Sequence, residues 1–517
     1  MRYFKALFTA TGFLITVCSP ASAEPFSIRD AINQAVKTNP GVGEASANRR
    51  ATEAELRQSQ GALLPQIRLQ ADAGPEKLTQ YIVPAPANNG RYLNGREASV
   101  VIRQTLFDGM SSINEVWRQA ARVHAASYRV LERTELIALD AAEAYIDVTR
   151  YTRLVALAEQ NLKVHLGVRK NVLARFSGGR SGEGHTQQAE ERVAAAQATL
   201  ADFRLSLDYA RAKYRKTVGL EPYNMRFPGR LPAMPASKNA SLDIAFKYNP
   251  TIRAAGADVE AAKRAFDSTA GAFVPTVALE GRALRGADSI VYPGQRDEVS
   301  GKIVMSWDIF RGGQDTWKRA EAAERMVEEQ HKHARLQREA LESLDKAWAA
   351  RTITTERAAA LLRDVEAARR TFAAYNKEYE LGQRTLIDLL NAQNQYFNAQ
   401  VSLVSARGVT VFADYQLLAA MGQLLHHLKT AKPPEADPLE NGPVGFIPIK
   451  FPLILLHAPE PGSEPLNAVA PIPMWSSPFA PQVEPRAVTF GDRWSAAAPP
   501  AGKDATLANA GRAGAAR

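Results

Sequence analysis

The chain repeats itself at long range. Asn39-Pro40 recurs as Asn249-Pro250 and Leu64-Pro65 as Val274-Pro275, both displaced by 210 residues, with Ala35 and Lys37 matching Ala245 and Lys247. Beyond them the displacement is 203: Phe107 falls on Phe310, Gly179 on Gly382 and Gly219 on Gly422. A single seven-residue insertion between Pro65 and Phe107 accounts for the change. A duplication of this period means two copies of one supersecondary unit set side by side, rather than a fold organised around one unique cleft.

The N-terminus reads as a secretory signal over residues 1–23. Arg2 and Lys5 precede an apolar run from Ala6 to Val17, and Ala21-Ser22-Ala23 stands ahead of Glu24. That run is too short to cross a bilayer of ~30 Å. Cys18 is the only cysteine, so the mature chain has none and no disulfide. Val17 stands where a lipoprotein site would carry a small residue. No later stretch has the roughly 18–20 continuous apolar residues of a membrane helix. Contact with a membrane must therefore come through strands or the surface. The formal charge of +10 is spread among acidic residues along helical stretches, which reads as solvated faces. With export it gives no reason to expect a nucleic-acid partner.

Each copy opens with a helix, roughly 27–60 and 241–271, closed by a proline. Alternating runs follow. Ile67, Leu69 and Ala71 alternate with Gln66, Arg68, Gln70 and Asp72, and Val100, Ile102 and Leu106 belong to a returning strand. In the second copy Val277 and Leu279 alternate with Thr276, Glu280 and Arg282. Val299, Gly301, Ile303, Met305, Trp307 and Ile309 then alternate with Ser300, Lys302, Ser306 and Asp308. Period two with one apolar and one charged face, over about ten residues, matches a membrane-spanning strand. Four strands cannot close a barrel, and lipid does not tolerate open sheet edges, so several chains must contribute to one barrel. Loops rich in Gly, Pro and Asn, from Gly74 to Gly95 and from Gly286 to Gln295, join the strands, and the first holds the insertion.

Proline-free helical stretches over 110–176 and 313–380 come next, rods of ~100 Å that imply a coiled-coil-like wall. Helices over 186–218 and 385–422 pack back on them. In the second, Leu386, Leu390, Phe397, Val401, Val404, Val411, Tyr415 and Leu418 form an apolar seam. The domain reading is thus a first repeat over 24–220, a linker over 221–240, a second repeat over 241–429 and a tail over 430–517. The tail holds 16 of the 30 prolines and reads as extended or disordered, with one apolar patch from Ile447 to His457. No zinc motif, phosphate loop or nucleophile elbow is present, which points to no enzyme, no cofactor and no metal site.

The two helix-to-helix turns are the sharpest motifs. The second runs YELGQRTLIDLLNAQNQYFNAQ from Tyr379 to Gln400, and the first FSGGRSGEGHTQQAEERVAAAQ from Phe176 to Gln197. Gly382 and Gly179 end a helix in each. Together with the Asn-Pro helices, hairpins and rods, the pattern over residues 26–425 resembles the TolC-like outer-membrane efflux protein family. GQRTLIDLL looks most like members serving type I protein secretion.

That resemblance implies an α+β fold and a homotrimer: a twelve-stranded outer-membrane barrel, four strands per chain, continuing into a periplasmic α-helical tunnel. It implies a passive exit channel working with a periplasmic adaptor and an inner-membrane ABC or proton-driven transporter. Multidrug or metal efflux is the alternative cargo class. A non-pore adaptor fits less well, since an adaptor has one helical hairpin flanked by compact β domains. On the family's pattern Tyr379 and Arg384 belong to bonds that hold the inner end shut, and Asp388 faces the entrance as part of an anionic ring. Asp388 also suits a plain place in the first turn of a helix, favoured by the dipole. His185, 203 residues before Asp388, stands where the first turn usually supplies an aspartate, which leaves Arg384 without its usual acidic partner there. Asn391 replaces a second acidic position.

Overall fold

The computed structural model describes residues 26–77, 79, 81, 89–288 and 294–439. All lie in the first of two units of the chain, 1–469, and the second, 470–517, falls outside them. The signal segment over 1–23 and the apolar patch Ile447–His457 also lie outside the described residues.

Each opening helix is two helices. α1 (Ile28–Thr38) starts at a capping box, in which the Ser27 hydroxyl accepts from the Asp30 N–H and the Asp30 carboxylate from the Ser27 N–H. It ends at Asn39, whose extended ψ of 124° is what the following proline imposes. Asn39 then caps α2 (Pro40–Gly61), accepting from the Gly41 N–H at 2.9 Å, with Pro40 at the first helical position where no N–H is needed. The second copy repeats the junction: Asn249 separates α5 (Lys238–Tyr248) from α6 (Pro250–Ser268). The unbroken helices expected over 27–60 and 241–271 are corrected by this restriction of the residue before proline. Each asparagine also donates to the end of its copy's last helix, Asn39 to the Thr217 carbonyl and Asn249 to the Ala420 carbonyl, both at 2.9 Å. The Asn-Pro repeat is thus a three-way joint.

The strands β1 (Gln66–Lys77), β2 (Tyr92–Phe107), β3 (Thr276–Ala287) and β4 (Gln295–Ser306) form one antiparallel sheet in chain order. The ladders reach Lys77↔Tyr92 and Ala287↔Gln295, so the hairpins run further into the expected loops. The connecting segments are residues 78–91 and 288–294, fourteen against seven, which places the insertion at the first hairpin's tip. β4 stops at Ser306, leaving Trp307 and Ile309 past the sheet. The register puts Ile67, Ile102, Gly281 and Gly301 in one row, with Leu69, Val100, Ala283 and Val299 in the next. Leu279 and Ile303 share that face, which is exposed: Ile303 is 73% and Val299 87% accessible. The opposite face carries the ion pairs Arg282–Glu97 and Arg103–Glu280 and is the more covered, with Ser99 and Ala278 buried. A sheet with its apolar side outward and its charged side inward is built for lipid.

α3 (Ser111–Ser177) and α7 (Gln314–Glu380) are both 67 residues long. α4 (Glu183–Val218) packs along α3, and α8 (Leu386–Ala420) along α7. α3 also meets α8, and nearer the sheet α2 and α6 flank α3 while α6 lies on α7. Of the α8 seam, Leu386, Leu390, Phe397, Val411, Tyr415 and Leu418 are buried. α3 buries twenty-five residues and α7 only Leu344, Ala347 and Ala368, so one flank of α7 is uncovered among the described residues. Ile353 and Leu362 stand exposed on α7, as Leu205 and Tyr209 do on α4.

The main core sits midway along the rods, where Ile32, Tyr145, Tyr214, Leu344, Tyr415 and Leu417 are sealed. The linker is tied there. Asp414, fully buried, accepts from Arg230 at 2.9 and 3.0 Å and from Arg351 at 3.0 Å. The body extends past the second repeat. α9 (Leu424–Leu428) is followed by a 3₁₀ turn at Pro434–Ala436, where Glu435 pairs with Arg50 and Leu439 covers Leu56, Val116 and Ala120. The first residues of the tail therefore belong to the packed body, held by contacts with α2 and α3.

Two measurements follow from this architecture. Ile303→Arg should cost about 2–4 kcal/mol if the side chain lies at the bilayer midplane, and so lower the yield of membrane-inserted protein. Val304→Arg, on the inward face, should insert normally. Glu135 on α3 is the second case: its carboxylate accepts the Leu424 and Leu425 N–H groups at 3.1 and 3.2 Å. Burial nonetheless raises its pKa to about 8, against the opposing pull of those two bonds. A raised carboxyl pKa stabilises the folded state below the ordinary value near 4.5, and that stabilisation is lost as pH rises through about 8. The thermal midpoint should fall across that window, and Glu135→Gln should flatten the fall.

Candidate gate at the paired helix turns

At the end of the rods remote from the sheet, each helix pair turns through the same glycine motif. Gly179 (φ 69°) gives its N–H to the Phe176 carbonyl at 2.9 Å, and Arg180 its N–H to the Arg175 carbonyl at 2.8 Å. Gly382 (φ 77°) and Gln383 repeat this on Tyr379 and Glu378 at 3.1 and 2.8 Å. The paired bonds close the helix through a left-handed residue that only glycine adopts without strain.

The helices beyond the turns start differently. Thr385 caps α8, accepting from the Asp388 N–H at 3.3 Å and donating its hydroxyl to the Asp388 carboxylate at 2.7 Å. In the first copy the cap is Gly182, with no side-chain bond, and His185 is exposed with Nδ1 3.1 Å from the Ser181 hydroxyl. The exchange of aspartate for histidine thus accompanies the loss of the capping threonine, and Asp388 is half-buried in a first turn that its charge favours.

Arg384 is exposed, with Nε donating to Glu378 at 2.8 Å and its guanidinium 4.1 Å from the Tyr375 ring centre. The bond to Glu378 raises its pKa further. Both contacts stay within the second turn. Tyr379 is half-buried against the cluster of Val172, Ala189, Leu386 and Leu390, and Arg175 of α3 stacks on its ring at 4.5 Å. Beside this stack opens a cleft of about 250 Å³ between the two helix pairs, lined by Asn171, Asn376 and Leu389. Arg175 lies outside the turn motif, and the signal that marks it is in the repeat. Arg175 and Glu378 are matched positions of the repeat, 203 apart, with opposite charge.

One layer above, α3 places Ala158, Asn161, His165, Val168 and Val172 at alternating steps of three and four, an a/d seam. Its polar members are buried. Gln393 donates to the Asn161 side-chain oxygen at 2.9 Å, while His165 Nδ1 and Gln393 Oε1 have no partner among the described residues. Burial, and then the nearby Arg192 charge, lower the His165 pKa and keep it neutral. No group of three or more His, Cys, Asp or Glu placed to hold a metal occurs among the described residues. No helix among them is long and apolar enough to cross a membrane.

A lipid-facing sheet with a charged inner side, mounted on paired helical rods that end in glycine turns, defines a subunit of a channel-tunnel. The chain belongs to the outer membrane efflux protein family, whose match spans residues 31–220 and 242–423, one segment for each repeat. It is similar to outer membrane efflux protein BepC of Brucella suis biovar 1, at 27% identity over 82% of this chain and 92% of that protein. It is also similar to alkaline protease secretion protein AprF of Pseudomonas aeruginosa, at 23% identity over 79% and 89%. Its fold is that of the outer membrane protein VceC of Vibrio cholerae, with a TM-score of 0.69, 19% identity and coverage of 76% and 96%. The protein is an outer-membrane efflux channel with a periplasmic tunnel.

Proposed function

We propose that three copies of this chain form a passive exit duct for protein cargo, loaded by an inner-membrane ABC transporter through a periplasmic adaptor. The observation that carries the reading is the set of open edges. Among the described residues β1 and β4 end the sheet unpaired, and one flank of α7 is bare. Backbone groups in lipid need partners, so β4 of one copy pairs with β1 of the next, and exposed Ile353 and Leu362 on α7 find cover on a neighbour. Head-to-tail contacts of this kind close into a ring. Protein cargo is supported by GQRTLIDLL from Gly382 to Leu390 and by the similarity to AprF. An efflux role is the second reading, favoured by the similarity to outer membrane efflux protein BepC; drug cargo and a proton-driven pump as partner would go with it.

The inner end is where the turns converge, and Asp388 from three copies makes the anionic ring of the entrance. Asp388→Ala should weaken cation preference and block by multivalent cations in planar bilayers, since a ring of carboxylates attracts cations. Unchanged selectivity would move the entrance elsewhere. Deleting the gene should remove a protein from the culture medium and leave drug susceptibility unaltered. The reverse pattern would support the pump-linked reading.

A further inference from the structure

We propose that the stack of the Arg175 guanidinium on the Tyr379 ring is the clasp that holds the inner end of each subunit closed, in place of the arginine-to-aspartate bond that His185 removes. The inference rests on the reading of the paired turns as the closed end of the tunnel. Near these turns most charged side chains are satisfied within one helix pair. Arg384 is held by Glu378 and Tyr375 of its own turn. Asp388 is held by Thr385, and His185 lies beside Ser181. Arg169, two turns above Arg175 on α3, pairs with Glu190 on α4 and so also stays within the first pair. The Arg175–Tyr379 contact differs in that it joins α3 of the first pair to α7 of the second.

The chemistry suits a reversible clasp. The negative face of an aromatic ring attracts a cation without needing a hydrogen bond, and the attraction grows as water is excluded. Tyr379 packs against the apolar cluster of Val172, Ala189, Leu386 and Leu390, which restrains the ring and desolvates it in part. The cleft beside the stack, bordered by Asn171 and Asn376, leaves room for the helix pairs to separate there. The contact also needs the two repeats to differ. The residue matched to Arg175 is Glu378, and the one matched to Tyr379 is Phe176, so a charge that favours the ring face exists at this level in the first copy only.

The test is single-channel conductance of the purified full-length channel in planar bilayers, with trimer content checked by heat-modified migration. Tyr379→Leu and Arg175→Gln should each raise the resting conductance severalfold, and the double variant no further than the larger single effect. Tyr379→Phe keeps the ring face and Arg175→Lys keeps the cation, so both should stay within about twofold of the parent. The clasp is overturned if Arg175→Gln conducts like the parent, or if Tyr379→Phe opens as far as Tyr379→Leu, since the hydroxyl would then be the working group. Should Arg384→Ser or Asp388→Ala alter conductance or selectivity while Arg175→Gln does nothing, the gate stands at these turns and the clasp alone fails. Should none of these variants alter either property, the placement of the gate fails together with the clasp.

Discussion

The fold depends on the absence of water in the hydrocarbon layer. A backbone N–H or C=O without a partner there costs several kcal/mol, so a four-stranded sheet with an exposed apolar face is not a finished object. Its register sorts Ile67, Leu69, Val100, Ile102, Val299 and Ile303 onto one side and Arg103, Glu280, Arg282 and Lys302 onto the other. That inverts the arrangement of a water-soluble sheet. The helical wall inherits the same incompleteness: α3 is flanked along its length and α7 is not. A chain that leaves both a strand edge and a helix flank open needs neighbours at both levels, and further copies of itself supply both in one ring.

The duplication builds the wall, and its breakdown builds the special sites. At the Asn-Pro joints the copies agree to the atom, each asparagine capping one helix and bonding the end of another. At mid-height they do not. Glu135 matches Arg338, and Asp414 matches Arg211, so the carboxylate that caps α9 and the one that anchors the linker each occur once. Each serves the segment that follows a copy's last helix, and those segments differ: α9 after α8 and the linker after α4. The turns follow the same rule, with one glycine geometry and two different sets of side chains.

Much of this was legible in the sequence because it depends on local rules. Period-two alternation located all four strands, and the rod lengths agreed within a residue or two, since a proline-free helix ends where glycine admits a left-handed residue. The helix break at Asn39 and Asn249 is equally local, although an unbroken apolar pattern runs through it: proline fits the first position of a helix, but the residue before it is pushed out of helical geometry. Other features were not readable. Leu439 and Glu435 dock because α2 and α3 happen to present Leu56, Val116 and Arg50 to them. The stacking of Arg175 on Tyr379 depends on the relative rotation of two rods, which no spacing within either rod records.

A gate of this kind must be weak in each copy and sufficient in the assembly. A partly desolvated cation–π contact contributes about 1–2 kcal/mol, and three related copies would sum to roughly 3–6 kcal/mol. Moving a two-state gate from almost always shut to almost always open takes about 5.5 kcal/mol of differential binding, which is within reach of a docking partner. Buried ion pairs in the same places would resist opening, because separating them leaves unpaired charge. The unfilled polar layer of Asn161, His165 and Gln393 just above works in the same direction, since an apolar seam there would bind the helix pairs more tightly than a layer with two unsatisfied groups. Weak, symmetric and partly polar contacts let the closed state be stable and still yield to a partner without any change in covalent structure.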